Sequence, residues 1–144
     1  MTAERVFDAH LHIIDPDFPL QANNGYLPTP FTVEDYRARV GPLGVAGGAV
    51  VSGSFQGFDQ GYLAAALAAL GPGYVGVTQI PADTSDSEIE RLDALGVRAV
   101  RFNVRRGGSA DIAEAECLAR RVYDIAGWHA EFYIDSTELA PLYA

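Results

Sequence analysis

Short apolar runs alternate with amphipathic helical stretches along the whole chain, and that alternation leaves one sheet type open to it. Strands are expected at residues 5–13, 46–52, 74–80, 97–104 and 130–135. Helices are expected between them: one capped by Thr32, then 59–70, a third starting at Ser85 or Asp86 and running to Leu95, and 111–126. Ser136 or Thr137 then starts a further helix that runs into the end of the sequence at Pro141-Leu142-Tyr143-Ala144. A (βα)4β order demands parallel strands joined by right-handed crossovers. Two α/β architectures satisfy it. A doubly wound sheet is complete at 144 residues, whereas a (β/α)8 barrel needs about 250.

The polar residues inside the strands favour the barrel. In the first strand Phe7, Ala9, Leu11 and Ile13 face one way, and Val6, Asp8, His10 and His12 the other. Ser52 and Ser54 share a face at the end of the second strand. Arg101 and Asn103 alternate with Val100, Phe102 and Val104 on the fourth, and Tyr133 and Asp135 with Phe132 and Ile134 on the fifth. Four strands therefore finish with polar groups on one face. Burying such groups is costly unless they meet a partner, a metal or a substrate, and a barrel gathers its strand ends at one mouth.

His10 and His12 stand two residues apart, about 7 Å along an extended backbone. That spacing lets both imidazoles reach one metal ion or polarise one carbonyl group. For the other residues a plainer role stays open beside the chemical one. Arg101 fits a buried ion pair, Arg105 and Arg106 a solvated loop before Gly107-Gly108, and Ser52 and Ser54 a turn cap. Tyr26 and Tyr133 fit packing, and His129 a structural place at the far end of the fifth strand.

The stretch Phe7-Asp8-Ala9-His10-Leu11-His12 resembles the opening motif of the amidohydrolase superfamily, and Gly96 to Asn103 resembles the fourth strand of its amidohydrolase-2 branch. Within that branch Phe18-Pro19-Leu20, Tyr26, the turn from Ser52 to Gln60 and Gly127-Trp128-His129 are similar to the 2-pyrone-4,6-dicarboxylate lactonases. The resemblance implies a TIM barrel of the metal-dependent hydrolase type, of which residues 1–144 supply the N-terminal portion, about the first five strands. It implies a hydrolase that opens a small carboxylated lactone, such as 2-pyrone-4,6-dicarboxylate, by attack of water on the ester carbonyl. His10 and His12 would bind one divalent metal ion, zinc or manganese, or would act without metal as the lactonase group is understood to do. Arg101 would hold a substrate carboxylate, and Arg105 or, as the preferred reading, Arg106 would add a second basic contact. Tyr26, Ser52, Ser54 and Tyr133 would be hydrogen-bonding groups of the pocket.

A barrel of this class also uses a later-strand histidine and a final-strand aspartate. His10, His12 and His129 are the only histidines, and Asp135 does not match that aspartate. The chain is therefore read as one segment of a longer polypeptide, or as a half-barrel that associates with a second copy. Two rival functions accompany the lactonase reading: a metal-dependent decarboxylase of a carboxylated aromatic, and a non-catalytic half-barrel. Composition excludes other classes. With 49% hydrophobic and 20% charged residues the chain is not disordered. A net charge of −9 speaks against nucleic acid and anionic membrane as partners. The N-terminus lacks the apolar run of a signal peptide, and no apolar stretch is long enough to span a bilayer, so a cytoplasmic enzyme is expected. The single cysteine, Cys117, is read as a packing residue of the fourth helix.

Overall fold

A computed structural model describes residues 5–23, 25–107 and 109–140. Five strands form one parallel sheet in the order β1-β2-β3-β4-β5: β1 Val6–Leu11, β2 Val45–Val51, β3 Tyr74–Thr78, β4 Val97–Phe102 and β5 His129–Phe132. Between them run α1 Val33–Val40, α2 Gly61–Leu70, α3 Asp86–Ala94 and α4 Ile112–Ala126. Sequential neighbours pair throughout, with no strand crossing over another, and this is half of a (β/α)8 barrel rather than a doubly wound sheet.

Local chemistry explains the helix ends. Thr32 caps α1 in a full capping box: Thr32 Oγ1 accepts from the Asp35 N–H, and the Asp35 carboxylate accepts from the Thr32 N–H. Ser85 caps α3 and Asp111 caps α4, each by accepting a first-turn N–H. Gly127 ends α4 at φ 71°, a left-handed conformation that a residue with a Cβ rarely adopts.

The central strands β2, β3 and β4 bury both faces, and the two faces are built differently. On the helix side Val50, Val100 and Phe102 join Leu63, Ile89 and Leu118 in the main core. On the inner face Ala49, Val51, Val77 and Ala99 form a separate cluster of small side chains. Above that layer, towards the C-terminal ends of the strands, the inner face turns polar.

The structure corrects three sequence expectations. β5 stops at Phe132 rather than at residue 135, although the Tyr133 N–H still donates to the Phe102 carbonyl at 2.9 Å. The final element begins at Ser136, as expected, with Asp135 as its cap, but it is a short 3-10 turn, Ser136–Glu138, rather than an α-helix. Residues 141–144 lie outside the described residues. Cys117 is exposed: the buried stripe of α4 passes through Ala115, Leu118 and Val122, and residue 117 falls on the other side of the helix. Among the described residues no helix is long and apolar enough to cross a membrane.

Candidate active site

A cavity of about 310 Å³ lies at the C-terminal ends of the strands, lined by His10 of β1 and His12 just beyond it, by Gly53, Ser54 and Phe55 after β2, by Arg101, Asn103 and Arg106 of β4 and its loop, and by Tyr133 after β5. Strand parity brings Arg101 and Asn103 to it, since Val100 and Phe102 between them are taken by the helix-side core.

The two imidazoles meet edge to face, with Nε2 of His10 and Nε2 of His12 3.4 Å apart. His12 Nδ1 lies 2.7 Å from the carbonyl oxygen of Val51. A carbonyl only accepts, so Nδ1 carries the hydrogen and Nε2 of neutral His12 presents a bare lone pair to the cavity. That lone pair can take a proton or bind a metal, but it cannot donate to an oxyanion. His10 is braced from below, where its backbone N–H donates to Asp8 Oδ1 at 3.3 Å and the Tyr36 hydroxyl donates to Asp8 Oδ2 at 3.1 Å.

Two nitrogens that each bind one tetrahedral ion at about 2.0–2.1 Å stand about 3.3–3.4 Å apart. The His10–His12 spacing matches that figure, and the hydrogen bond from His12 Nδ1 to Val51 is the kind of support that aims a ligating imidazole. The pair therefore fits two positions of a metal site. Among the described residues no third His, Cys, Asp or Glu joins them.

Arg101 is 8% exposed, and its Nη1 lies 3.4 Å from His10 Nε2. Its guanidinium also sits 5.5 Å from the centre of the Tyr133 ring, and that of Arg106 sits 5.9 Å from the same ring. Glu131 is the partner of Arg101 in the β4–β5 register, yet no carboxylate among the described residues forms an ion pair with Arg101. Burial lowers the Arg101 pKa, and Glu131, Tyr133 and Tyr62 oppose that shift. Arg105, by contrast, turns away to pair with Asp135 at 3.0 Å. The second basic group of the cavity is therefore Arg106.

Burial holds both histidines below the ordinary value of 6.5. Arg101 lowers His10 further, while a hydrogen bond to Val51 partly opposes the shift at His12. A histidine pKa depressed by folding contributes stability above pH 6.5, and that contribution is lost as pH falls through the folded-state value. In the metal-free protein, NMR titration of the imidazoles is expected to give both midpoints below 6.5. A midpoint above it for either would contradict this electrostatic picture.

Of the residues singled out in the sequence, His10, His12, Ser54, Arg101, Arg106 and Tyr133 meet in the cavity. Ser52 and Tyr26 are not among its lining residues. Ser52 is buried with its hydroxyl 2.6 Å from that of Tyr62, because β2 ends at Val51 and the turn Ser54–Gln56 breaks the two-residue alternation that would have aligned Ser52 with Ser54. Tyr26 is 56% exposed in a short bridge with Asn23. His129 lies at the opposite end of β5, near Glu131. One residue of the site escapes a reading of the sequence, and a second is legible there only by its parity. Asn23 donates from Nδ2 to Ser54 Oγ at 2.8 Å and to the Arg106 carbonyl at 2.7 Å, tying two walls together from a loop that has no periodicity to reveal it. Asn103 lines the cavity, as its parity with Arg101 indicates, but the sequence alone assigns it no role.

Residues 7–140 match the amidohydrolase profile of the amidohydrolase-2 type. The chain belongs to the amidohydrolase-2 family. It is 31% identical over 141 residues to a 2-pyrone-4,6-dicarboxylate hydrolase of Comamonas testosteroni, covering 94% of this chain and 46% of that protein. It is 27% identical over 137 residues to a D-galactarolactone isomerase of Agrobacterium fabrum, covering 92% and 46%. A 4-sulfomuconolactone hydrolase of Rhizobium radiobacter is 30% identical over 108 residues, covering 72% and 36%. This amidohydrolase chain thus spans less than half the length of these curated relatives. A crystal structure of an Agrobacterium tumefaciens protein in its apo form superposes with a TM-score of 0.82 at 25% identity, covering 96% of this chain and 51% of that one. A structure from Acinetobacter baumannii with citric acid bound superposes with a TM-score of 0.83 at 20% identity, covering 96% and 53%, and this second likeness bears on the fold alone.

Proposed function

We propose that the protein hydrolyses a small lactone that carries a carboxylate, with water attacking the ring ester carbonyl. The observation that carries this reading is Arg101: a buried guanidinium beside the histidine pair, with no ion-pair partner among the described residues. Such a charge is costly to bury alone, and a bound carboxylate is the partner that answers its fork of donors with two parallel hydrogen bonds. The activities named for the three relatives, two lactone hydrolases and a lactone isomerase, support the lactone class. Within that class 2-pyrone-4,6-dicarboxylate, the compound named for one of the relatives, is the reference substrate.

In this mechanism Arg101 and Arg106 hold the substrate carboxylate while Tyr133, packed against both guanidiniums, keeps them in place. His12 Nε2, fixed as a lone-pair acceptor by Val51, takes the proton of the attacking water. The Arg101 Nη1 that reaches towards His10 supplies positive charge where the carbonyl oxygen becomes an oxyanion. His10 and His12 are also the residues that would hold a divalent ion, which when bound would polarise the carbonyl and acidify water.

The test is ring opening of 2-pyrone-4,6-dicarboxylate by the purified protein, compared with the dimethyl ester of the same lactone. Opening of the diacid alone is the expected result. Equal opening of both would remove Arg101 from its assigned role.

A further inference from the structure

Asn103 is only 3% exposed, yet it lines the cavity two residues beyond Arg101 on the same face of the sheet. Its backbone is fully engaged: the N–H donates to Ser109 Oγ at 2.7 Å, and the carbonyl accepts from Gly107 N–H at 2.8 Å. These two bonds anchor the loop that carries Arg106. The side chain takes no part in them, and its amide oxygen has no hydrogen-bond partner among the described residues. Neighbouring buried polar groups are used internally. Gln56 accepts from the Gly53 N–H and donates to the Ile13 carbonyl, Thr78 donates to Gln60, and Ser52 pairs with Tyr62. A buried acceptor without a donor destabilises a fold unless something else satisfies it.

We propose that Asn103 is a specificity-determining residue whose amide pairs with a hydroxyl group of the ligand. This rests on the carboxylated-lactone reading and narrows it. A carboxylate, an ester carbonyl and a ring oxygen offer acceptors only and leave an amide oxygen unpaired. A hydroxyl both donates and accepts, so it satisfies the amide whichever end is turned towards the ligand. Among carboxylated lactones, the ligand class is therefore one that keeps a free hydroxyl outside the ring ester.

The discriminating experiment compares two lactone acids, D-galactarolactone, which bears hydroxyls, and 2-pyrone-4,6-dicarboxylate, which bears none, in the unaltered protein and in Asn103→Leu. The substitution is expected to lower kcat/KM about tenfold or more for the hydroxylated lactone, as loss of one buried hydrogen bond would, and less than about threefold for the pyrone. Asn103→Ala gives the same ratio should the leucine variant fail to fold. Equal losses on both substrates, or none on either, overturn the proposal. Where the unaltered protein opens neither lactone, the lactone reading fails and the amide is tested by itself through calorimetry with malate and succinate, which differ by one hydroxyl. Malate is then expected to bind about tenfold more tightly, and that preference should vanish in Asn103→Leu. Equal or absent binding of the two overturns the assignment.

Discussion

Arg101→Ala is expected to raise KM for a carboxylated lactone by about 30-fold to 1,000-fold while changing kcat far less. The range follows from two charge-assisted hydrogen bonds, each worth about 1.5–3 kcal/mol with partial loss to reorganisation. The split between KM and kcat is informative because Arg101 has two assigned tasks. A kcat loss comparable to the KM change would shift the weight from anchoring to oxyanion stabilisation. Arg101→Lys keeps the charge but not the fork, and an intermediate KM is expected. Stability provides the control. Arg101 is buried without an ion-pair partner among the described residues, so Arg101→Met is expected to leave Tm unchanged or raise it. A fall in Tm of several degrees would mean that the guanidinium serves the fold rather than a ligand.

The second large effect belongs to His12. Because the Val51 carbonyl holds hydrogen on Nδ1, Nε2 is the atom that faces the chemistry, and His12→Asn removes it. A loss of about 100-fold to 10,000-fold in kcat is expected, the range of a general base, with KM within about threefold of its original value. Steady-state kinetics of the variant decide the matter. A variant that keeps more than a tenth of its kcat would show that His12 is a neighbour of the reaction rather than a participant. His10→Asn tests the other half of the pair and also removes the nitrogen that Arg101 approaches, so its effect should fall on both kcat and KM.

Most of the fold was legible because parallel-sheet strands and their crossover helices write separate periods into a sequence. The helix ends were legible through Thr32, Ser85, Asp111 and Gly127, whose local chemistry needs no tertiary contact. The cavity was legible where strict alternation persists, which is why Arg101 and the histidine pair met as expected. It failed where alternation breaks. One turn after Val51 sends Ser52 into the protein and leaves Ser54 at the wall. The choice between Arg105 and Arg106 depended on a loop whose course is set by Asn103 and Asp135, contacts that no local pattern encodes. Asn103 shows the opposite failure: its parity was visible, but an unpaired amide becomes evident only when its surroundings are known.

The central claim is that water opens a carboxylated lactone at this cavity, and isotope incorporation tests it most directly. Ring opening of 2-pyrone-4,6-dicarboxylate and of D-galactarolactone is followed in 18O-labelled water, with the products read by mass spectrometry. Attack of water on the ester carbonyl places one 18O atom in the newly formed carboxylate, and the ring oxygen leaves as an unlabelled hydroxyl or enol. One labelled oxygen per opened ring, lost together with turnover in His12→Asn, is the result expected. Rearranged lactone without label, or release of CO2 with the ring intact, would contradict it.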